Sequence, residues 1–149
     1  LVFLIALFYN GKNIYNDRNF LLVFNAVLIG VMAIILFSLT EATNNTRSKF
    51  NLIILFGLAL LAIIANAIAL SAISFRLSEF GISPNRLAVL GANLLIFIHL
   101  LFVSYGLFKN LNGKASIQDV EGNIALFIPA YAAWAAFITF IMPFIFKFN

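Results

Sequence analysis

The chain has 149 residues, 64% of them hydrophobic and 9% charged, with a mean hydropathy of +1.08, against about a quarter charged in an average soluble domain. No water-soluble fold covers that much apolar surface, and no polar stretch is long enough for a second domain outside a bilayer. The formal charge of +4 comes from nine Lys and Arg scattered through the loops, not massed into a patch of the kind that binds nucleic acid, and the absence of cysteine removes disulfides and thiolate sites from consideration.

A bilayer core about 30 Å thick takes roughly 20 apolar residues in a helix. The first apolar stretch, 1–9, is too short to cross and reads as the end of a partial span. It begins at Leu1 with neither Met nor a charged leader ahead of it, so the chain is expected to be a fragment of a longer protein. Four full spans follow, at about 20–39, 52–73, 87–108 and 124–146, and none contains Lys, Arg, Asp or Glu. His99 is the one ionisable side chain at membrane depth besides tyrosine. The connections at 10–19, 40–51, 74–86 and 109–123 are short and hold the turn-forming residues. Unpaired backbone groups are not tolerated in hydrocarbon, and runs this long exceed barrel strands, so helices are required. The expected fold is therefore all-α: a polytopic transmembrane bundle, antiparallel and up-and-down, forming a single membrane-embedded domain. Pro129 and Pro143 fall in the last span, where each removes a backbone donor and predicts a bend unless it lies in a first turn.

Sidedness is almost balanced. Lys12, Arg18, Arg76, Arg86 and Lys147 fall on one side and Arg47, Lys49, Lys109 and Lys114 on the other, five against four. A slight preference follows for the five-charge side as cytoplasmic.

The third connection carries the densest local chemistry. In Arg76-Leu77-Ser78-Glu79-Phe80-Gly81-Ile82-Ser83-Pro84-Asn85-Arg86, Gly81 suits the left-handed residue after a helix end, and Ser83-Pro84 supplies a capping hydroxyl and a proline for the first turn of the next helix. If the helix before it runs far enough, Arg76 and Glu79 share one face, and Arg86 falls in the following first turn. Two readings stand side by side. One is a tight hairpin with snorkelling arginines and a local ion pair. The other is a site, built from Arg76, Glu79, Asn85 and Arg86, for an anionic lipid head group or another membrane protein.

Arg-x-x-Glu-Phe-Gly-Ile-Ser-Pro-Asn-Arg between two apolar helices resembles a signature of the bacterial integral membrane family called domain of unknown function 4153. The resemblance rests on Arg76, Glu79, Phe80, Gly81, Ile82, Ser83, Pro84, Asn85 and Arg86. It implies a polytopic protein of the bacterial inner membrane, of which this chain would be the C-terminal part. It brings no established activity and no catalytic residues.

Each full span also holds one polar residue at a similar depth. Counted from the side of the Pro-Asn-Arg turn at 1.5 Å per residue, Asn25, Asn66, Asn93 and Thr139 lie roughly 8, 11, 9 and 10 Å in. They are expected to form one layer, either a structural hydrogen-bonded belt or the lining of a vestibule. His99 lies deeper, roughly 18 Å in, with no second His, Asp or Glu at that depth to make a metal site or proton chain. Asp119 and Glu121 are read as solvated loop carboxylates.

No catalytic constellation, metal site or cofactor motif is expected. The favoured reading is a non-catalytic membrane module, a scaffold or envelope-associated component. A transporter or channel for a small polar or lipid-like molecule is the first alternative, using the asparagine layer and His99. A lipid-modifying enzyme using Arg76, Glu79 and Arg86 is the second.

Overall fold

The computed structural model describes residues 23, 26, 27, 29–35, 37, 38 and 49–147. Among them the regular structure is entirely helical. Helix α1 runs Lys49–Phe80, α2 Pro84–Leu111 and α3 Ile117–Ala136; α3 continues through a π-helical turn, Phe137–Ile141, into the short α4, Met142–Ile145. Three helices are long and apolar enough to cross a membrane: Lys49–Phe80, Pro84–Leu111 and Gln118–Ile145. The partial span at 1–9 lies outside the described residues. Of the span expected at 20–39, the described residues are helical, and Met32 and Ile35 are buried in the same core as Leu52, Leu55 and Ala59 of α1.

The helices outrun the apolar stretches that announced them. Residues 74–80 stay helical and α2 already begins at Pro84, so the connection expected over 74–86 shrinks to Gly81, Ile82 and Ser83. The connection expected over 109–123 shrinks in the same way, because Ser116 caps a helix that begins at Ile117. Ser116 N donates to Asp119 Oδ2 at 2.7 Å, and Asp119 N donates to Ser116 Oγ at 3.2 Å. This reciprocal cap satisfies two otherwise orphaned donors. Asp119 is thus a first-turn helical residue and Glu121 lies on the turn after it, and neither is a loop residue. Pro129 is accommodated inside α3, while Pro143 falls in the first turn of α4 after the π turn. There Met142 N donates to Phe137 O, five residues back. A wide turn of this kind is one of the recognised ways a long helix absorbs a local break in its ladder.

Burial is that of a bilayer protein. Where α1 faces α2, its buried positions are mostly small, with Ala59, Ala62, Ala65, Ala69 and Ala72 all buried, which allows the close backbone approach that helix pairs use in lipid. Ile96, Leu100, Val103 and Leu107 of α2 and Val120 and Ile124 of α3 complete the core. Phe50, Leu126, Ile128 and Phe144 face outward.

Two contacts set the register of α3 against α2. A β-carbon placed on Gly91 would overlap the Trp134 ring, and one placed on Gly106 would lie 3.2 Å from Val120 Cγ2. Gly91 is therefore level with Trp134. In antiparallel helices this puts Arg86 level with Thr139, Pro84 with Ile141, and Ser104 with Glu121. The last helix is staggered towards the turn between α1 and α2. Its first charged turn dips to the depth of buried Ser104, and its apolar end overhangs the start of α2.

Candidate functional site

The turn between α1 and α2 is built as its residues require. Gly81 takes φ +75°, a region that costs a side-chain-bearing residue roughly 1–2 kcal/mol. Ser83 is the extended N-cap of α2, with φ −130° and ψ 153°. Its Oγ accepts from Arg86 N at 3.4 Å, and its carbonyl accepts from Leu87 N at 2.9 Å. Pro84 occupies the first turn, where a missing donor is harmless.

Arg86 reaches back across the turn. Its Nη1 donates to Phe80 O and to Gly81 O, both at 2.8 Å, and its guanidinium carbon stands 5.4 Å from the centre of the Phe80 ring. The side chain thus closes the C-terminal end of α1, where carbonyls lack helical partners and a cation is favoured by the helix dipole. Arg76 is half-buried on the last full turns of α1, while Glu79 and Asn85 are exposed. Of the four turn residues singled out from sequence, Arg86 has a defined structural task, and Glu79 and Asn85 form an open polar rim beside it.

The expected polar layer is only partly assembled. Asn66 and Asn93, 0% and 2% exposed, meet where Asn66 Nδ2 donates to Asn93 O at 3.1 Å. Asn25 lies outside the described residues. Thr139 does not join them: it is exposed and its Oγ1 donates to Ala135 O of its own helix at 2.8 Å. The stagger explains the difference, because Thr139 is level with Arg86, seven residues towards the turn from Asn93, a rise of about 10 Å.

His99, 1% exposed, bridges α2 to α3. Its Nδ1 and the Tyr131 hydroxyl are 3.1 Å apart, the donor being set by the imidazole tautomer. Its ring stacks on Phe127 at 4.4 Å with the planes 1° apart. Tyr131 was not singled out in the sequence. The available signal was the lone aromatic hydroxyl inside the last span, opposite the lone imidazole. Trp134, on the next turn, donates from Nε1 to Ala88 O at 3.3 Å while its ring covers Gly91.

The buried side-chain atoms Asn66 Oδ1, His99 Nε2 and Ser104 Oγ have no hydrogen-bond partner among the described residues. Among those residues, too, no three His, Cys, Asp or Glu come together in a metal-holding group. At the opposite end of α2, Lys109 Nζ stands 5.2 Å over the Tyr105 ring, an arrangement that suits a membrane interface. No family model matches this chain, and neither does any curated protein or solved structure.

Proposed function

We propose that the chain is a non-catalytic membrane module, a scaffold or envelope-associated component, crossing the bilayer four times after a partial span at 1–9. The observation that carries this reading is the use made of the intramembrane polar side chains: Asn66, His99 and Trp134 each tie one helix to another. Groups committed to holding helices together support a structural part more than a reaction centre or pathway. The module meets its partner through the turn, with Arg76, Glu79, Asn85 and Arg86 contacting an anionic lipid head group or another membrane protein. The resemblance of that turn to domain of unknown function 4153 supports a place in the bacterial inner membrane.

Native mass spectrometry of the gently extracted protein tests this. Wild type retains a bound anionic lipid or protein; Arg76→Ala with Arg86→Ala loses it, and Arg86→Lys, which keeps a cation at the end of α1, retains most of it. Folding of each variant is followed by the emission of Trp134, the single tryptophan. Retention of the same species by the folded double variant, or no retained species in any form, would contradict the role of the turn.

A transporter for a small polar or lipid-like molecule is the second reading. It is favoured by Asn66 Oδ1, His99 Nε2 and Ser104 Oγ, which have no partner among the described residues, since buried polar atoms ordinarily find partners.

A further inference from the structure

The register of the last helix carries a consequence for where the membrane surface lies. Pro84, the first residue of α2, is level with Ile141, yet the chain beyond Ile141 stays apolar through Met142, Phe144, Ile145 and Phe146 before Lys147. At a rise of about 1.5 Å per residue, hydrocarbon-seeking surface extends about 7 Å past the start of α2. Phe144 is 84% and Ile145 58% exposed while Met142 is buried, so one face of this end is left open by the rest of the bundle. The tip of the turn stands at the same level and is itself apolar: Phe80 is 52% exposed and Ile82 68%.

Several polar groups of the turn are paired within it. The Phe80 and Gly81 carbonyls accept from Arg86, the Ser83 carbonyl accepts from Leu87 N, Arg86 N donates to Ser83 Oγ, and Ser78 Oγ donates to Phe75 O. Pairing of this kind also occurs in the opposite loop around Ser116, and it is compatible with irregular backbone at membrane depth. Glu79 is exposed and long enough for its carboxylate to lead back to the head groups.

We infer that the turn is immersed below the phosphate plane of its leaflet, with Phe80 and Ile82 lying among the upper acyl segments of phospholipids. The inference rests on the membrane-spanning reading above and is independent of anion binding by the arginines. It makes the turn a lipid-contacting anchor from which the polar side chains of Glu79, Asn85 and Arg86 reach back towards the head-group layer.

The chain has no cysteine, so single-cysteine variants of the full chain can carry a spin label without further change. Ile82→Cys, Phe144→Cys and Lys114→Cys are reconstituted into phosphatidylcholine vesicles, with and without phosphatidylglycerol. Collision rates are measured with oxygen, which partitions into lipid, and with a water-soluble nickel complex. The labels at Ile82 and Phe144 should favour oxygen in both vesicles, and the label at Lys114, in the opposite loop, should favour nickel. An Ile82 label that behaves like the Lys114 one overturns the inference, as does a Phe144 label open to nickel, which would take the overhang out of the membrane. Immersion seen only with phosphatidylglycerol would make depth a result of head-group binding, which also overturns it while leaving the proposed function standing. Phe80→Cys repeats the test if Ile82→Cys changes the Trp134 emission.

Discussion

Replacing Gly91 with Leu should unseat the last helix, lowering the unfolding free energy in mixed micelles by about 3 kcal/mol. The Trp134 ring lies where the first side-chain carbon at position 91 would have to go. The ring cannot swing aside freely, because its Nε1 is bonded to Ala88 O and its other face stacks on Phe137 at 5.2 Å. Trp134 being the single tryptophan, its quenching by lipid-borne quenchers should rise as the indole leaves its seat. Gly57 provides the contrast. It sits in α1 with open space where a β-carbon would lie, so Gly57→Ala should gain about 0.5–1 kcal/mol from helix propensity alone. Equal effects at the two positions would show that the Gly91 seat is not specific.

Arg86→Ala should cost about 2 kcal/mol, within the range for hydrogen bonds made by a charged donor and reduced by the partial exposure of the site. Two carbonyls at the end of α1 lose their donor at once. Lys at the same position keeps the charge near the helix end but lacks the planar fork that serves two acceptors together, so Arg86→Lys should recover about half of the loss. Hydrogen exchange in micelles supplies the second readout. Exchange of the amides in the last turn of α1 should accelerate in Arg86→Ala, because that turn frays once its carbonyls are uncapped. An unchanged rate with unchanged stability would mean that the Arg86 contacts contribute nothing to the turn.

The turn was legible in the sequence because its chemistry is local. Gly81, Ser83 and Pro84 each act on their own backbone torsions or on a neighbour within a few residues, and the structure gives each the expected role. The pairing of Asn66 with Asn93 was legible for a related reason. A connection of three residues leaves two antiparallel helices little freedom of register, so equal distances from the turn mean equal depth. Thr139 shows where that logic fails. The five residues between α2 and α3 permit a shift along the helix axis, and the shift is fixed by Trp134 settling on Gly91 and Val120 on Gly106. That packing depends on side-chain shape between residues far apart in sequence, and no apolar count reports it.

His99 was legible as a buried imidazole but not as half of a pair. A tyrosine in an apolar span reads as bulk hydrophobicity until its hydroxyl is placed opposite a nitrogen. Asp119 was misread because a carboxylate between polar neighbours resembles a loop residue, although Ser116 three positions ahead completes a capping box.

The measurement that most directly tests whether the buried polar groups are helix ties is a double-mutant cycle on His99 and Tyr131 in lipid-containing micelles. His99→Phe keeps a ring to stack on Phe127, and Tyr131→Phe removes only the hydroxyl. Each single substitution and the pair are compared by unfolding free energy. A tie between α2 and α3 predicts a coupling of about 1 kcal/mol, in the range found for interhelical hydrogen bonds in membranes. Coupling indistinguishable from zero, with the single variants as stable as wild type, would contradict the structural role of the pair and favour the transport reading.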